Sequence, residues 1–332
     1  MEARGWLADG RAELERGRLL LWFFYIWTLT KAFSAIEVAQ SVAGGTIVWA
    51  PKVHIGILSW LSTDIFPVAV LVATACSVVG AVVSSVCPAI RTARALFFVG
   101  HLLLMAVAYD LRGKIDHSEH TTLWVAFIVI FLPSFRRAAE DEQVRRAFNR
   151  IMWTAGAAVL LTYTLAGINK VVAGVGDLLG GRPSWLAPDG LVHVIANAPP
   201  SADSFLSDLL IGHPWLTYGL QLGVLYLEGF ALVAAFRPRL LRLWGIAILG
   251  MHLAIKATMG ISFSSSVIPL MLFVVGSPFA MQGRAMQTAR DLPLFGRPAT
   301  AILSRIRTIW LRKRWTPACP GERESPSGTA ER

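Results

Sequence analysis

The sequence predicts an all-α integral membrane protein, a bundle of about eight transmembrane helices with both termini in the cytoplasm. The first observation is composition: 55% of the 332 residues are hydrophobic and 16% are charged, with a mean hydropathy of +0.55. Soluble domains average about 25% charged residues. The second is a series of long apolar segments, and the third is the distribution of arginine and lysine between them.

Eight segments have the apolar character and approximate length needed to cross a hydrocarbon core of about 30 Å. They are residues 19–38, 66–86, 94–110, 120–135, 151–172, 215–235, 241–260 and 263–281. The third and fourth are short, and the first contains Lys31 and Glu37. The expected number is therefore eight, with a margin of one.

Arginine and lysine alternate between rich and poor connections, as the positive-inside rule predicts for a correct set of spans. Residues 1–18 and the connections that contain Arg91, Arg136 and Arg237 are rich. The connections between them are poor, and one of them holds only Lys52. We therefore expect a multi-pass protein of the cell membrane with cytoplasmic N- and C-termini.

Four parts of the chain are expected to differ in character. A cytoplasmic segment precedes the transmembrane domain, a basic amphipathic segment lies on the membrane surface after it, and a polar Pro, Gly and Ser-rich tail is disordered. They are residues 1–18, 19–281, 282–316 and 317–332. In the surface segment Ile302, Ile306, Ile309 and Trp310 share one helical face.

The net charge of +10 raises the question of nucleic acid. The arginines, however, lie beside the predicted spans and in the C-terminal region, where topology and anionic lipid explain them. Membrane lipids are therefore the expected partners, and nucleic acid is not. No metal is expected either, because His117 and His120 have no third ligand at a recognisable spacing.

Ionisable side chains inside spans are costly, so each is a hypothesis for a functional site. The predicted topology brings His120, Lys170, His252 and Lys256 to a similar depth on the extracytoplasmic side. Each also has a structural interpretation, since a lysine can extend to the interface and a histidine can bond a neighbouring helix. The shared depth favours a common site.

The longest connection, residues 175–214, follows Lys170 directly. It is moderately apolar and is interrupted by Gly and Pro, so it is too hydrophobic for a free loop and too broken for a span. We expect short interfacial or re-entrant helices that form a lid over the polar site. A packed external loop is the alternative.

Three short motifs stand out in the predicted spans. The first is YTLAGINKVVAG (163–174), followed by WLAPDG with Trp185 and Gly190; the second is HSEHTTLW (117–124); the third is GFALVAAF (229–236) with MHLAIKATMGISF (251–263). In this order they resemble the Tyr-x-x-Ala-Gly-x-x-Lys signature, the histidine segment and the later spans of the horizontally transferred transmembrane (HTTM) domain family, which includes the membrane core of vitamin K-dependent gamma-carboxylase.

The resemblance implies an enzyme of the carboxylase type that uses a reduced quinone of the vitamin K or menaquinone class. In the family the lysine of the signature is the base, which corresponds to Lys170, and the matching histidine is His120. His252 is expected to assist them, and Tyr163, Trp185 and Lys256 are expected to line the cofactor site. A lysine that is desolvated between helices can be neutral near pH 7, which is the condition for a general base.

The sequence departs from the family pattern at Asn169, where a second lysine is usual, and at Ser118 and Glu119, where asparagines are usual. The propeptide-binding lumenal region of the vertebrate enzyme has no counterpart here, so a small substrate or a different peptide is expected. One alternative is a non-catalytic accessory protein for a secreted peptide, like the B component of sporulation-delaying toxin systems. A transporter, with Glu228 and His101 relaying protons, is a weaker alternative.

Overall fold

The computed structural model is all-helical over the residues that it describes, which confirms the all-α part of the predicted fold class. Those residues are 10–45, 65–112, 117–198, 205–280 and 285–296, together with 298, 300–302, 304 and 305. The helices are α1 Gly10–Ala43, α2 Phe66–Val86, α3 Arg91–Arg112, α4 His117–Val129, α5 Phe135–Glu140, α6 Glu142–Leu179, α7 Gly190–Ala196, α8 Phe205–Gly212, α9 Pro214–Gly229, α10 Ala231–Ala235, α11 Pro238–Met259, α12 Ser264–Leu270 with a π-helical turn Met271–Val275, and α13 Ala285–Arg290.

The chain forms two compact units, one up to Gln282 and one from Gly283 onward. The first unit contains α1 to α12. The second contains α13 and most of the predicted surface segment, in which Ile302 is exposed. Ile306, Ile309, Trp310 and the tail 317–332 lie outside the described residues.

Among the described residues, four helices are long and apolar enough to cross a membrane, which supports the integral-membrane interpretation. They are the part of α1 from Ala12 to Ala43, α2, α6 and α11. The other four predicted spans coincide with α3, with α4, with the interrupted pair α9 and α10, and with α12 and its π-helical turn.

Helix α6 is much longer than the predicted span 151–172. It has 38 residues, or about 57 Å at 1.5 Å per residue. Asp141 caps its start by accepting hydrogen bonds from the backbone N–H groups of Gln143 and Val144, at 2.7 and 3.4 Å. At its end the chain turns through Gly181, whose φ of 65° suits glycine. Lys170 therefore lies well inside the helix.

Helix α6 packs against α1, α4, α5, α9, α10 and α12 and so forms the centre of the first unit. Aromatic rings fill the core beside it. Phe24 of α1 meets the rings of Phe97 and Phe273 edge to face, at centroid distances of 6.1 and 5.5 Å. All three are almost completely buried. This packing joins α1, α3 and the π-helical turn.

Helix α6 lies directly against the backbone of its neighbours where α9 ends and α10 begins. A Cβ atom added at Gly167 would lie 2.8 Å from the backbone N of Gly229 and 3.0 Å from Cβ of Glu228. The backbone N–H of Leu232, just after the interruption, donates to Oγ1 of Thr164 at 2.9 Å. The Thr164 side chain thus satisfies an N–H group at the start of α10.

A second interruption is satisfied from another helix. Pro269 lies inside α12 and has no N–H, so the carbonyl of Ser265, four residues earlier, lacks its helical donor. Oγ1 of Thr122 in α4 points toward this carbonyl at 3.4 Å. The start of α12 is thereby fixed against α4.

Gln221 of α9 holds the loop that follows α6. Its side chain is fully buried, accepts from the backbone N–H of Leu191 at 2.9 Å and donates to the carbonyls of Trp185 and Ala187. Gly190 permits this fold, because a Cβ there would lie 2.5 Å from the carbonyl O of Ser184. The side chain of Trp185 is thus held at a fixed place over α6.

Replacing Gly167 by leucine is expected to destabilise the protein. The added side chain would force α6 away from the backbone of Glu228 and Gly229, and overpacking of this kind costs about 1–3 kcal/mol. We expect the apparent melting temperature in detergent to fall by about 5 °C.

The matched control is Gly176→Leu in the same helix, since a Cβ at Gly176 has no neighbour within 4 Å. A fall of the same size in both variants would contradict the close approach at Gly167.

Replacing Gln221 by leucine is expected to release the loop. It leaves the N–H of Leu191 and two loop carbonyls without partners, at a cost of about 1–3 kcal/mol for each group that stays buried. Hydrogen–deuterium exchange should become faster at residues 184–191, while Leu222→Ala on the exposed side of α9 should leave it unchanged. Equal exchange in the two variants would refute the role of Gln221.

Candidate functional site

The candidate site is centred on Lys170, which forms an ion pair with Glu228 in the last turn of α9. Nζ of Lys170 donates to both carboxylate oxygens of Glu228, each at 2.6 Å. The side chain of Lys170 is 29% exposed and that of Glu228 only 6%. The ring of Trp185 lies 5.1 Å from Nζ on another side. Lys170 is therefore held inside the protein rather than extended to the interface.

Tyr163 and His252 form a second polar pair, two turns earlier on α6. The hydroxyl of Tyr163 lies 2.9 Å from Nε2 of His252 in α11, and the ring of Phe263 is 5.1 Å from the imidazole. The seven-residue step from Tyr163 to Lys170 places both on one face of α6. His252 is close enough to Lys170 to be affected by its charge.

The Nδ1 atom of His252 is buried and has no hydrogen-bond partner among the described residues. The large majority of buried polar side-chain atoms in proteins are hydrogen-bonded. This nitrogen is therefore available to a group that enters the site.

A further ion pair joins α1, α4 and α12. Nζ of Lys31 lies 2.9 Å from Oε1 of Glu119 and also donates to Oγ of Ser265. Oγ of Ser265 in turn donates to Oε1 of Glu119 at 2.8 Å. The buried His101 of α3 is near enough to interact electrostatically with both charges.

The start of α12 lies between these groups. Ser265 contacts the Lys31–Glu119 pair, and the next residue, Ser266, lies near the hydroxyl of Tyr163. Thr121 of α4 and Thr162 of α6 add a buried bridge, with 2.9 Å between their hydroxyl oxygens. The start of α12 therefore brings the Lys31–Glu119 pair and the Tyr163–His252 pair to adjacent residues.

Four of the predicted site residues form two pairs in the structure: Trp185 lies beside Lys170, and His252 lies beside Tyr163. Lys256 does not join them, because its side chain is exposed on α11. His120 is partly buried in the first turn of α4. Its neighbour Glu119, rather than His120, pairs with Lys31.

The sequence alone does not identify the partners of the two lysines. It gives Glu228 at most a role in relaying protons, and Glu119 stands out only as a departure from the family pattern. A usable signal was present, because an ionised group at membrane depth needs an opposite charge. Three lysines and three glutamates lie in the predicted spans or at their ends, so ion pairs between them could have been expected in advance, although not which lysine pairs with which glutamate.

The site has no arrangement typical of a metal centre. No group of three or more His, Cys, Asp or Glu side chains that could hold a metal ion occurs in the described part of the chain. The charged groups are two ammonium–carboxylate pairs, each neutral overall, which lowers the cost of placing them at membrane depth. Their chemistry is proton transfer and the binding of polar groups.

Comparisons of the chain with protein-family models, with curated protein sequences and with solved structures found no match. Any functional conclusion therefore depends on the geometry of the Lys170 site.

Proposed function

We propose that this protein is an eight-span membrane enzyme of the HTTM type, with both termini in the cytoplasm, that transfers a proton at Lys170 to or from a lipid-soluble substrate of the reduced-quinone class. The observation that carries the proposal is the Lys170–Glu228 pair beside the ring of Trp185. The four long apolar helices and the alternation of arginine-rich connections support the membrane topology.

The ion pair explains how a lysine can act as a base here. An ammonium group has no lone pair, so Lys170 must release a proton before it can accept one. Glu228 is in position to receive it, since both of its oxygens are 2.6 Å from Nζ. After this transfer both groups are neutral, and Nζ can take a proton from an acidic hydroxyl of the substrate.

The residues around Lys170 fit a flat aromatic molecule with hydroxyl groups. The aromatic ring of Trp185 lies beside the lysine. Nδ1 of His252 is buried and has no hydrogen-bond partner among the described residues. Tyr163 fixes the imidazole by its hydrogen bond to Nε2. A reduced quinone bound here would supply the redox chemistry on which a carboxylase-like reaction depends.

The surface next to the site suits a substrate that arrives from the bilayer. Leu165, Ile168 and Val172 of α6 are each at least half exposed on the same stretch of helix as Lys170. Apolar side chains of this kind match the hydrocarbon of a membrane rather than water. The ring of Trp185, in the loop after α6, lies 5.1 Å from Nζ of Lys170, and this contact supports the proposal that the loop serves as a lid.

Replacing Lys170 by methionine is expected to destabilise the protein, because Glu228 stays buried without a counter-charge. Breaking a buried ion pair in this way costs about 3 kcal/mol or more. The double variant K170M/E228Q removes the stranded charge, so its melting temperature should recover most of the loss. If K170M alone is as stable as the wild type, the ion pair does not exist.

The same double variant separates folding from function. We expect it to retain co-purifying menaquinone, detected by mass spectrometry. Oxidation of reduced menaquinone or reduced vitamin K, with dioxygen supplied as the electron acceptor, should fall at least about 100-fold, the usual contribution of a general base. Asn169→Ala, at an exposed position beside Lys170, is the control and should keep full turnover.

Wild-type protein that retains only phospholipid and shows no quinone turnover would overturn the proposal. That result would favour the accessory role for a secreted peptide, which does not require Lys170.

A further inference from the structure

A cavity of about 560 Å³ lies among the start of α1, the end of α2, the start of α3 and the loop after α4. It is separate from the Lys170 site. Arg18, which lines the cavity, and Lys31, which pairs with Glu119, both belong to α1. They are about 20 Å apart along the helix at 1.5 Å per residue, so the cavity is also distant from the Lys31–Glu119 pair.

Arg94 lines this cavity and carries a buried charge without a carboxylate partner. The residue is 3% exposed. Its guanidinium donates to the carbonyls of Pro88, Ile130 and Leu132, the last at 2.6 Å. Nε has no partner, and no ion pair to Arg94 occurs in the described part of the chain. Carbonyl groups satisfy N–H donors but leave the net charge uncompensated.

Other polar groups of the cavity also suit an anion. The hydroxyls of Tyr25 and Ser84 are buried neighbours, and neither makes a hydrogen bond of ordinary geometry to a described group. Arg18 lies at the side of the cavity with its guanidinium 5.0 Å from the centre of the Phe135 ring. Two arginines against the single carboxylate of Glu15 give the lining a net positive charge.

One wall of the cavity is apolar and open to the surroundings. Leu19 is 54% exposed, Trp22 45% and Val86 74%, and all three line the cavity. Tryptophan is enriched where a membrane meets water, at the depth of lipid headgroups. The cavity therefore has cationic and hydroxyl donors inside and an apolar face at its edge. These two parts match the charged headgroup and the acyl chains of a phospholipid.

We propose that this cavity binds the phosphate headgroup of an anionic membrane lipid, with Arg94, Arg18, Tyr25 and Ser84 around the phosphate and an acyl chain against Leu19, Trp22 and Val86. The positive-inside rule assigns this end of the bundle to the cytoplasmic leaflet, whose surface carries anionic lipids. The site is independent of the proposed chemistry at Lys170.

The test uses the full-length protein, purified in detergent and titrated with phosphatidylglycerol or with phosphatidylcholine of the same acyl chains, with bound lipid counted by native mass spectrometry. We expect saturable binding of one phosphatidylglycerol and much weaker binding of phosphatidylcholine. Arg18→Gln should weaken the phosphatidylglycerol affinity about fivefold, the effect of one basic residue at an anionic membrane. Arg16→Gln, which changes an exposed arginine outside the cavity on the same helix, should leave it unchanged.

Ser84→Leu fills the cavity and should abolish the saturable binding. If this variant does not fold, as judged by gel filtration, the comparison of Arg18→Gln with Arg16→Gln decides the question. Equal binding of the two lipids, or equal effects of the two arginine substitutions, would overturn the proposal. Inorganic phosphate that competes fully with phosphatidylglycerol at equal concentration would assign the site to free phosphate and refute a lipid.

Discussion

The close approach of α6 to the junction of α9 and α10 is the constraint on which the Lys170 site depends. Gly167 has no side chain, so the backbone around Glu228 and Gly229 can lie directly against α6. Thr164, one turn earlier, satisfies an N–H group at the start of α10. Only with this contact can Lys170, one turn later, reach both oxygens of Glu228.

This contact also gives a physical meaning to the spacing of the YTLAGINK motif. Tyr163, Gly167 and Lys170 are three, four or seven residues apart and therefore share one helical face, and Thr164 lies next to Tyr163 at the edge of that face. Tyr163 forms a hydrogen bond with His252, and Thr164 accepts one from the first turn of α10. Gly167 leaves room for the backbone of the neighbouring helix, and Lys170 forms the ion pair. The spacing suits helix packing as well as chemistry.

The bundle places charge in two different ways. Lys170 and Lys31 each have a carboxylate partner, Glu228 and Glu119, so their charge is balanced within the protein. At the cavity around Arg94 the buried guanidinium has only carbonyl partners, and balance must come from outside the described residues. In the same low-dielectric surroundings, the balanced Lys170–Glu228 pair supports the proposed proton-transfer site, and the unbalanced Arg94 guanidinium supports the proposed anion-binding site.

The helical fold class, the apolar segments and the selection of Lys170 and His252 as candidate residues could be read from the sequence, because hydropathy and the cost of intramembrane charge are local properties. Tyr163 and Trp185 were expected only from the resemblance to the HTTM family. Which groups pair was decided only by the tertiary structure. Glu228 lies 58 positions from Lys170 and Glu119 lies 88 from Lys31, and helix packing alone fixes such distances. The cavity around Arg94 could not be predicted from the sequence either. In the sequence Arg94 is one of several arginines at the edge of a span, and only the packing of the helices buries it.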